Sequence, residues 1–363
     1  MLDIVFLVIT FAHGCIHIMG FGEGFKLFDA KQINQDISKE MGVLWLLSFI
    51  MITIYVVLFM FDFRYWWLIG LLSSFLSEFL IISCWSDAKY GTIPNILIVL
   101  ISICGFFVFK FKKEYENDVI SSFSSIKQIH DSIVLEEKVK QLPLPVQRYF
   151  KYLDLVGKNQ IRVAKICFDG KIRGKGKEYM SFSSEQHNFP PLSSRFFYMK
   201  AKMIGITLPG YHCYKEGKAK MEISLIGLIP VAKFDGSEMN QAETVTLFND
   251  MCIMYPSSLI DERIEWESID DNTCKAKFTN CGITISATLY FNEIGELVDF
   301  YSTDRIEINE NLHIPFSTPI KDYKNISGNK VSTYGEAIWH YNDGKFTYGV
   351  FNLQDIKYNV IEA

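Results

Sequence analysis

The run VLWLLSFIMITIYVVLFMF at 43–61 contains no charged side chain. A helix of this length covers the roughly 30 Å of hydrocarbon in a bilayer. Three more apolar runs of similar length lie at 2–21, 66–85 and 93–109. The sequence therefore predicts four transmembrane helices within residues 1–110.

The charged residues divide the chain in the same place. Residues 1–110 hold 14 of the 77 Asp, Glu, Lys and Arg residues, and the remaining part holds 63. The net charge of −5 comes from acidic and basic side chains mixed in both parts. A strongly basic face for nucleic acid is therefore excluded, and the first third is expected in lipid with the rest in water.

The membrane orientation depends on the cysteines. Four spans place both chain ends on one side of the membrane. Either orientation puts four of the Lys and Arg residues near the span ends in the cytoplasm, so the positive-inside rule favours neither. Cys167, Cys213, Cys252, Cys274 and Cys281 have no spacing typical of a disulfide framework or a zinc site. We therefore expect a multi-pass protein of the cell membrane whose C-terminal domain lies in the reducing cytoplasm.

Ionisable side chains inside the predicted bundle suggest a site. His13 and His17 lie four residues apart and hence on one face of the first helix, and Glu78 lies near the centre of the third span. Such groups are costly at membrane depth and face a partner or a wet cavity. One hypothesis is a metal or redox site formed by His13, His17 and Glu78. The alternative is that they only hydrogen-bond across the bundle and fix its packing.

The pattern changes after the fourth span. Residues 111–134 are polar and predict a linker, and residues 135–363 begin with a short helix and continue as alternating strands. In ITISATLYF at 283–291, apolar residues alternate with Thr and Ser, as in a strand with one buried face. About ten such strands, interrupted by one helix at about 239–254, predict an antiparallel sheet that must curl to protect its edges.

Five segments of this part resemble an uncharacterised bacterial family of domains of unknown function. They are LPLPVQRYFKYL at 142–153, SLIGLIPVAKFDG at 224–236, QAETVTLFNDMCIMYPSSLI at 241–260, LYFNEIGELVDF at 289–300 and PFSTPIKDYKNISGNKVSTYGEAIW at 315–339, and the strand WESIDDNTCKAKF at 266–278 adds a sixth. Members of this family also occur behind membrane helices with an HGxxHxxGF-like start, here HGCIHIMGF at 13–21. The resemblance implies a membrane-fused member and no particular activity.

The expected fold class is an α + β membrane protein, with a four-helix transmembrane bundle followed by a curled antiparallel half-barrel. By analogy at the level of fold, such a sheet with a short plugging helix is similar to bacterial lipoprotein carriers, which hold acyl chains. Candidate ligand-binding residues lie in two apolar stretches or on the concave face: Leu208, Tyr211, Leu228, Ile229, Glu243 and Arg305. The alternative for the two stretches, 205–211 and 225–231, is a pair of hairpin turns folded onto the core.

Three functions stay open from the sequence. The first is a membrane-anchored module that contacts membrane lipid and binds a hydrophobic ligand or lipid in the β domain. The second is a membrane-embedded metal or redox enzyme that uses His13 and His17, and the third is a scaffold for protein interaction. The sequence contains no Walker loop, nucleophile elbow or HExxH motif, so it names no cofactor and no reaction.

Overall fold

The computed structural model describes residues 2–27, 35–203, 206–308 and 310–360. The chain forms two compact units, one made of the helical part as far as Phe111 with the turn Ile226–Leu228, and the other made of the remaining, sheet-rich part from Lys112.

The first unit is built from long apolar helices. The helices are α1 (Leu2–Gly24), α2 (Lys39–Met60), α3 (Trp66–Ser83), the short α4 (Trp85–Ala88) with a 3-10 turn at Lys89–Gly91, and α5 (Thr92–Ile126). Four of them are long and apolar enough to cross a membrane, as predicted. Their outward side chains, such as Val8, Phe75 and Ile93, are exposed and apolar, which suits contact with lipid tails.

Close helix packing in this unit depends on a small residue. A β-carbon added at Gly20 of α1 would lie 2.4 Å from the ring of Trp45 on α2. Glycine therefore lets the two backbones approach, as small residues do in membrane bundles.

Helix α5 continues beyond the predicted end of the fourth span at residue 109. The segment predicted as a linker is helical as far as Ile126. Tyr115, Val119, Phe123 and Ile126 recur at helical spacing and are buried. Phe123 packs on Phe189, so these side chains cover the outer face of the sheet, and this stripe keeps an otherwise polar segment helical.

The second unit contains short helices and a large sheet. Its helices are α6 (Glu136–Val139), α7 (Leu144–Tyr152) and α8 (Ser237–Ile253). Its strands are β1 (Ala164–Ile172), β2 (Met180–Phe189), β3 (Ser194–Met203), β4 (Ile206–Lys215), β5 (Lys218–Leu225), β6 (Ile229–Asp235), β7 (Ile264–Ser268), β8 (Thr273–Asn280), β9 (Ile283–Phe291), β10 (Leu297–Ser302), β11 (Ile306–Glu307), β12 (Leu312–His313), β13 (Phe316–Ser317), β14 (Ile320–Ile326), β15 (Asn329–Tyr341) and β16 (Gly344–Tyr358).

Within the described residues, fourteen of these strands form one sheet. The order is β6-β5-β4-β3-β2-β1-β16-β15-β13-β10-β9-β8-β7, with β14 beside β15, and β11 pairs only with β12. Residue pairs such as Ala164 with Asn188 and Ala276 with Ala287 fix an antiparallel register. The central pair of β1 and β16 joins the two halves of the sheet.

The sheet is curled into a half-barrel around α8. This helix contacts β5 and β6 at one end of the strand order and β9 and β10 near the other end. The Asn280 side-chain amide also donates to the Tyr214 hydroxyl at 2.8 Å, which links β8 to β4. Phe248 of α8 stacks on Phe278, so the helix fills the curl with core side chains. The predicted fold class is therefore confirmed.

The structure contains more strands than the ten or so predicted. Of the two apolar stretches for which a hairpin turn was the alternative, residues 206–211 lie in β4, whereas residues 226–228 are the turn between β5 and β6. Among the described strands, β14 pairs with β15 alone, and most of its side chains are exposed to solvent. An edge strand of this kind carries little apolar alternation, which is why the pattern at 320–326 did not predict it.

Candidate functional site

A cavity of about 140 Å³ lies between α8 and the concave face of the sheet. Most of its wall is apolar and comes from strands on both sides of the β1–β16 pair and from the end of α8. These apolar residues are Phe168, Ile172, Phe182, Phe197, Met199, Ile253, Met254, Phe316, Ile320 and Phe351.

Helix α8 contributes a polar stripe to this cavity. Glu243, Thr246 and Asp250 line it at helical spacing and are followed by Ile253. Side chains between them, such as Phe248, are buried in the core. The helix is therefore covered on both sides and shows no simple amphipathic pattern.

An arginine on β3 binds the carboxylates of this stripe. Arg195 Nη1 lies 3.2 Å from Glu243 Oε2, and Arg195 Nε donates to Asp250 Oδ2 at 2.7 Å. Its Nη2 donates to Gln186 Oε1 at 3.3 Å. The Arg195 and Glu243 side chains are only 9% and 3% exposed, and charges this deeply buried persist when they are paired.

The electrostatics keep this pair ionised. His212 of β4 places its Nδ1 3.7 Å from Glu243 Oε1. Burial acts to raise the pKa of the Glu243 carboxyl, but His212 and the charge of Arg195 outweigh burial and lower the pKa to about 2. Burial likewise acts to lower the pKa of Arg195, but Asp250 and Glu243 raise it above the usual value. The polar end of the cavity is therefore charged at neutral pH.

A second arginine lines the cavity from the loop after β10. Arg305 Nη1 donates to the Tyr348 hydroxyl at 2.9 Å. Its guanidinium carbon lies 4.1 Å from the ring centroid of Phe316 and 5.1 Å from that of Trp339. Aromatic faces thus hold this cation at the cavity wall.

Of the six candidate ligand-binding residues, the structure brings Glu243 and Arg305 together at the cavity. It does not bring the other four there. Leu208 and Tyr211 are buried in β4, where the Tyr211 hydroxyl donates to Asp118 Oδ2 at 2.7 Å. Leu228 and Ile229 are about half exposed to solvent, at 49% and 53%.

Sequence reasoning missed Arg195, Gln186, His212 and Asp250. Arg195 lies on the same face of β3 as Phe197 and Met199, but the strand also contains Lys200 and Lys202, so the charge of Arg195 does not stand out in its sequence. Asp250 lies seven residues after Glu243, which puts both on one face of a helix. That spacing is the signal that could have paired them.

The polar residues of the helical unit form a separate cluster. His13 Nε2 lies 2.9 Å from Asn95 Oδ1 and 3.2 Å from the Ser77 hydroxyl. His17 Nε2 lies 2.9 Å from the same Ser77 hydroxyl. Glu78 accepts from Thr92 and from the Asn95 amide, both at 2.8 Å. Each of these side chains already has a protein partner.

This arrangement bears on the hypothesis of a metal site. Asn95 joins His13 to Glu78, so the three predicted ligands belong to one hydrogen-bonded cluster. In the ranges that the structure describes, no three His, Cys, Asp or Glu side chains are grouped to share a metal ion. A metal role for His13, His17 and Glu78 stays a prediction.

Comparison with protein families identifies the sheet-rich part. Residues 132–351 match the model of a family of unknown function (DUF6544). The match covers more than half of the chain and confirms the predicted likeness to a domain of unknown function. No curated protein matches the chain.

Solved structures with a similar arrangement include two bacterial proteins. One is titled an outer membrane lipoprotein-sorting protein domain from Vibrio parahaemolyticus, with 10% identity and a TM-score of 0.34 over 54% of this chain and 85% of that one. The other is a LolA superfamily protein from Nitrosomonas europaea, with 9% identity and a TM-score of 0.35 over 62% of this chain and 91% of that one. Neither similarity bears on activity.

Proposed function

The chain belongs to the DUF6544 family of unknown function, and we propose that its β domain binds a hydrophobic ligand, in the first instance a lipid, while the four apolar helices anchor it in the membrane. The observation that carries this proposal is the cavity under α8, because its wall is mostly apolar and its charged groups include Arg195, Glu243 and Arg305. Ligand sites of this kind combine apolar walls with a few placed polar groups.

The size of the cavity limits what it can take. An apolar cavity of roughly 150 Å³ holds a molecule the size of benzene. The volume of about 140 Å³ therefore suits a ring or a short stretch of acyl chain. The aromatic and methionine side chains of the wall, such as Phe182 and Met199, would replace water around such a group.

Lipid analysis of the purified full chain tests the proposal. The matched variants are Thr246→Phe, which fills the cavity from α8, and Thr303→Phe, which adds the same ring at an exposed position. We expect mass spectrometry of the extracted protein to find an acyl species in the wild type and in Thr303→Phe, and several-fold less in Thr246→Phe. Equal lipid in all three proteins, or none in the wild type, would overturn the proposal.

We also propose that the β domain lies in the cytoplasm. All eight cysteines are free thiols, and Cys281 is exposed whereas Cys213, Cys252 and Cys274 are buried. A reducing compartment keeps such thiols unpaired. An impermeant maleimide should therefore label Cys281 only after intact cells are permeabilised, and Cys281→Ser should remove that signal. Labelling of Cys281 in intact cells would reverse the orientation.

A further inference from the structure

The two arginines of the cavity differ in how their charge is balanced. Arg195 contacts two carboxylates, Glu243 and Asp250. Among the residues that the structure describes, Arg305 has no Asp or Glu oxygen within 4.0 Å. Its neighbours are the Tyr348 hydroxyl and the faces of Phe316 and Trp339.

The hydrogen bonds of Arg305 are also incomplete. Its Nη1 has the Tyr348 hydroxyl as acceptor, whereas its Nε is buried with no acceptor among the described residues. A buried donor without an acceptor costs about 1–3 kcal/mol, and more when it belongs to a charged group. The Nε atom itself is shielded from solvent, although the whole side chain is only partly buried. The missing partner of Nε is therefore a hydrogen-bond acceptor. An oxyanion would supply this acceptor and would also balance the guanidinium charge.

Apolar surface lies next to this cation. Phe316, Ile320 and Phe351 line the same cavity as Arg305. A ligand that satisfies both features carries an oxyanion at one end and a hydrocarbon chain at the other. Glu243 is in contact with Arg195, whereas Arg305 acts on Glu243 only from beyond ion-pair distance. Arg305 is therefore the cation of the cavity that can still contact a negative head group.

We propose that the ligand of this cavity is an anionic amphiphile, an alkyl carboxylate or alkyl phosphate, whose head group pairs with Arg305 while its chain contacts the aromatic wall. This proposal rests on the proposed function and names the class of its ligand. Planar guanidinium groups bind carboxylate and phosphate oxygens in pairs, so either head group supplies the missing acceptor.

Three probes with the same tail separate the head group from the chain. They are hexanoate, hexyl phosphate and 1-hexanol, titrated calorimetrically into the full chain in a non-ionic detergent, with protein-free micelles as the blank. Charge-assisted hydrogen bonds predict that the two anions bind about tenfold or more tighter than the alcohol. The tighter of the two anions identifies the head group, and acetate and inorganic phosphate should not displace it because they lack the chain.

Variants then assign the preference to one residue. Arg305→Gln should abolish the difference between anions and alcohol, and Arg305→Lys, which keeps the charge, should retain part of it. The control is Arg173→Gln, because Arg173 also lies over aromatic rings, those of Tyr179 and Phe346, but does not line the cavity. This control should behave like the wild type.

The outcomes distinguish this proposal from the proposed function. If all three probes bind equally and Arg305→Gln changes nothing, the cavity takes hydrophobic ligands without an anionic head, and only the present proposal is overturned. If none of the probes binds, 1-hexanol included, the proposed function fails as well. If Arg305→Gln does not fold, a reduced preference for the two anions over 1-hexanol in a folded Arg305→Lys supports the proposal, and a preference equal to that of the wild type overturns it.

Discussion

The helical unit and the sheet unit each contain a buried polar cluster, and the two clusters are satisfied in different ways. In the helices, His13, His17, Ser77 and Asn95 hydrogen-bond to one another across three helices. In the sheet, Arg195 is held by two carboxylates beside a cavity. The polar groups of the first cluster are mostly neutral and bond to one another. The second cluster is charged and lines the cavity.

This difference assigns different roles to the two clusters. Hydrogen bonds between neutral side chains fix how helices pack in a membrane and contribute modestly to stability. A buried ion pair contributes little net stability against an apolar replacement, but breaking it is expensive. We therefore expect the charges beside the cavity to serve ligand binding, and the hydrogen bonds between His13, His17, Ser77 and Asn95 to serve helix packing.

The largest effect is expected where one member of the ion cluster is removed. Arg195→Met leaves Glu243 and Asp250 buried without their cation, which should cost about 3–5 kcal/mol of the free energy of unfolding. Thermal unfolding of the full chain, followed by near-ultraviolet circular dichroism, measures the loss. Adding Glu243→Gln and Asp250→Asn to that variant should recover part of it, and no recovery would show that Arg195 acts through packing alone.

Acid should affect the sheet unit through the same cluster. The pKa of Glu243 in the folded protein is lowered to about 2, below its usual value, so its contribution to stability is fully present above pH 4.5 and is lost as the pH falls toward 2. A shift of this size corresponds to about 3 kcal/mol as an upper limit. Glu243→Gln should flatten the acid limb of a stability curve measured between pH 2 and 6, and a variant curve parallel to that of the wild type would contradict the assignment.

The sequence predicted the polar cluster of the helices but not Arg195 in the sheet, and the difference has a physical reason. A histidine inside an apolar run is conspicuous, because lipid leaves few polar side chains around it, and His13, His17 and Glu78 were all found. The strand that holds Arg195 was predicted, but Arg195 is one of three basic residues in it, so no isolated charge marked its role. The cavity itself depends on which strands meet across the curl, and local spacing does not encode that.

The same reasoning applies to the fold. The four helices and the antiparallel sheet follow from the length of apolar runs and from alternation, and both were predicted. The helical extension at 112–126 depends on the burial of Tyr115 and Phe123 against the sheet, a tertiary contact with only a weak local signal. Strands β4 and β6 contain prolines that local rules assign to turns.

A smaller effect is expected in the helical cluster. His17→Leu removes one partner of the Ser77 hydroxyl and places an apolar side chain in a membrane helix, so stability should change by about 1 kcal/mol. Elemental analysis of the detergent-purified protein should find no bound metal in either the wild type or the variant. Stoichiometric metal that is lost in His17→Leu, and equally in His13→Leu, would instead support the metal hypothesis and remove the contrast between a packing cluster and a binding cluster.

The smallest effect concerns a carboxyl group of the sheet that has no ion-pair partner among the described residues. Burial raises the pKa of Asp299 on β10 to about 6, although backbone N–H groups of Phe300 and Thr318 act to lower it. Because the folded-state value lies above the unfolded one, the contribution to stability is fully present below about pH 4 and is lost as the pH rises through 6. The full shift corresponds to about 3 kcal/mol, which partial exposure of the side chain reduces to roughly 0.5–1 kcal/mol.

Asp299→Asn keeps an acceptor for the two N–H groups and removes the charge, so it should stabilise the protein at pH 7.5 and have no effect at pH 4. Stabilisation of equal size at both pH values would show that the gain comes from packing. The unpaired Asp299 would then not differ from the paired Glu243 in how its charge affects stability.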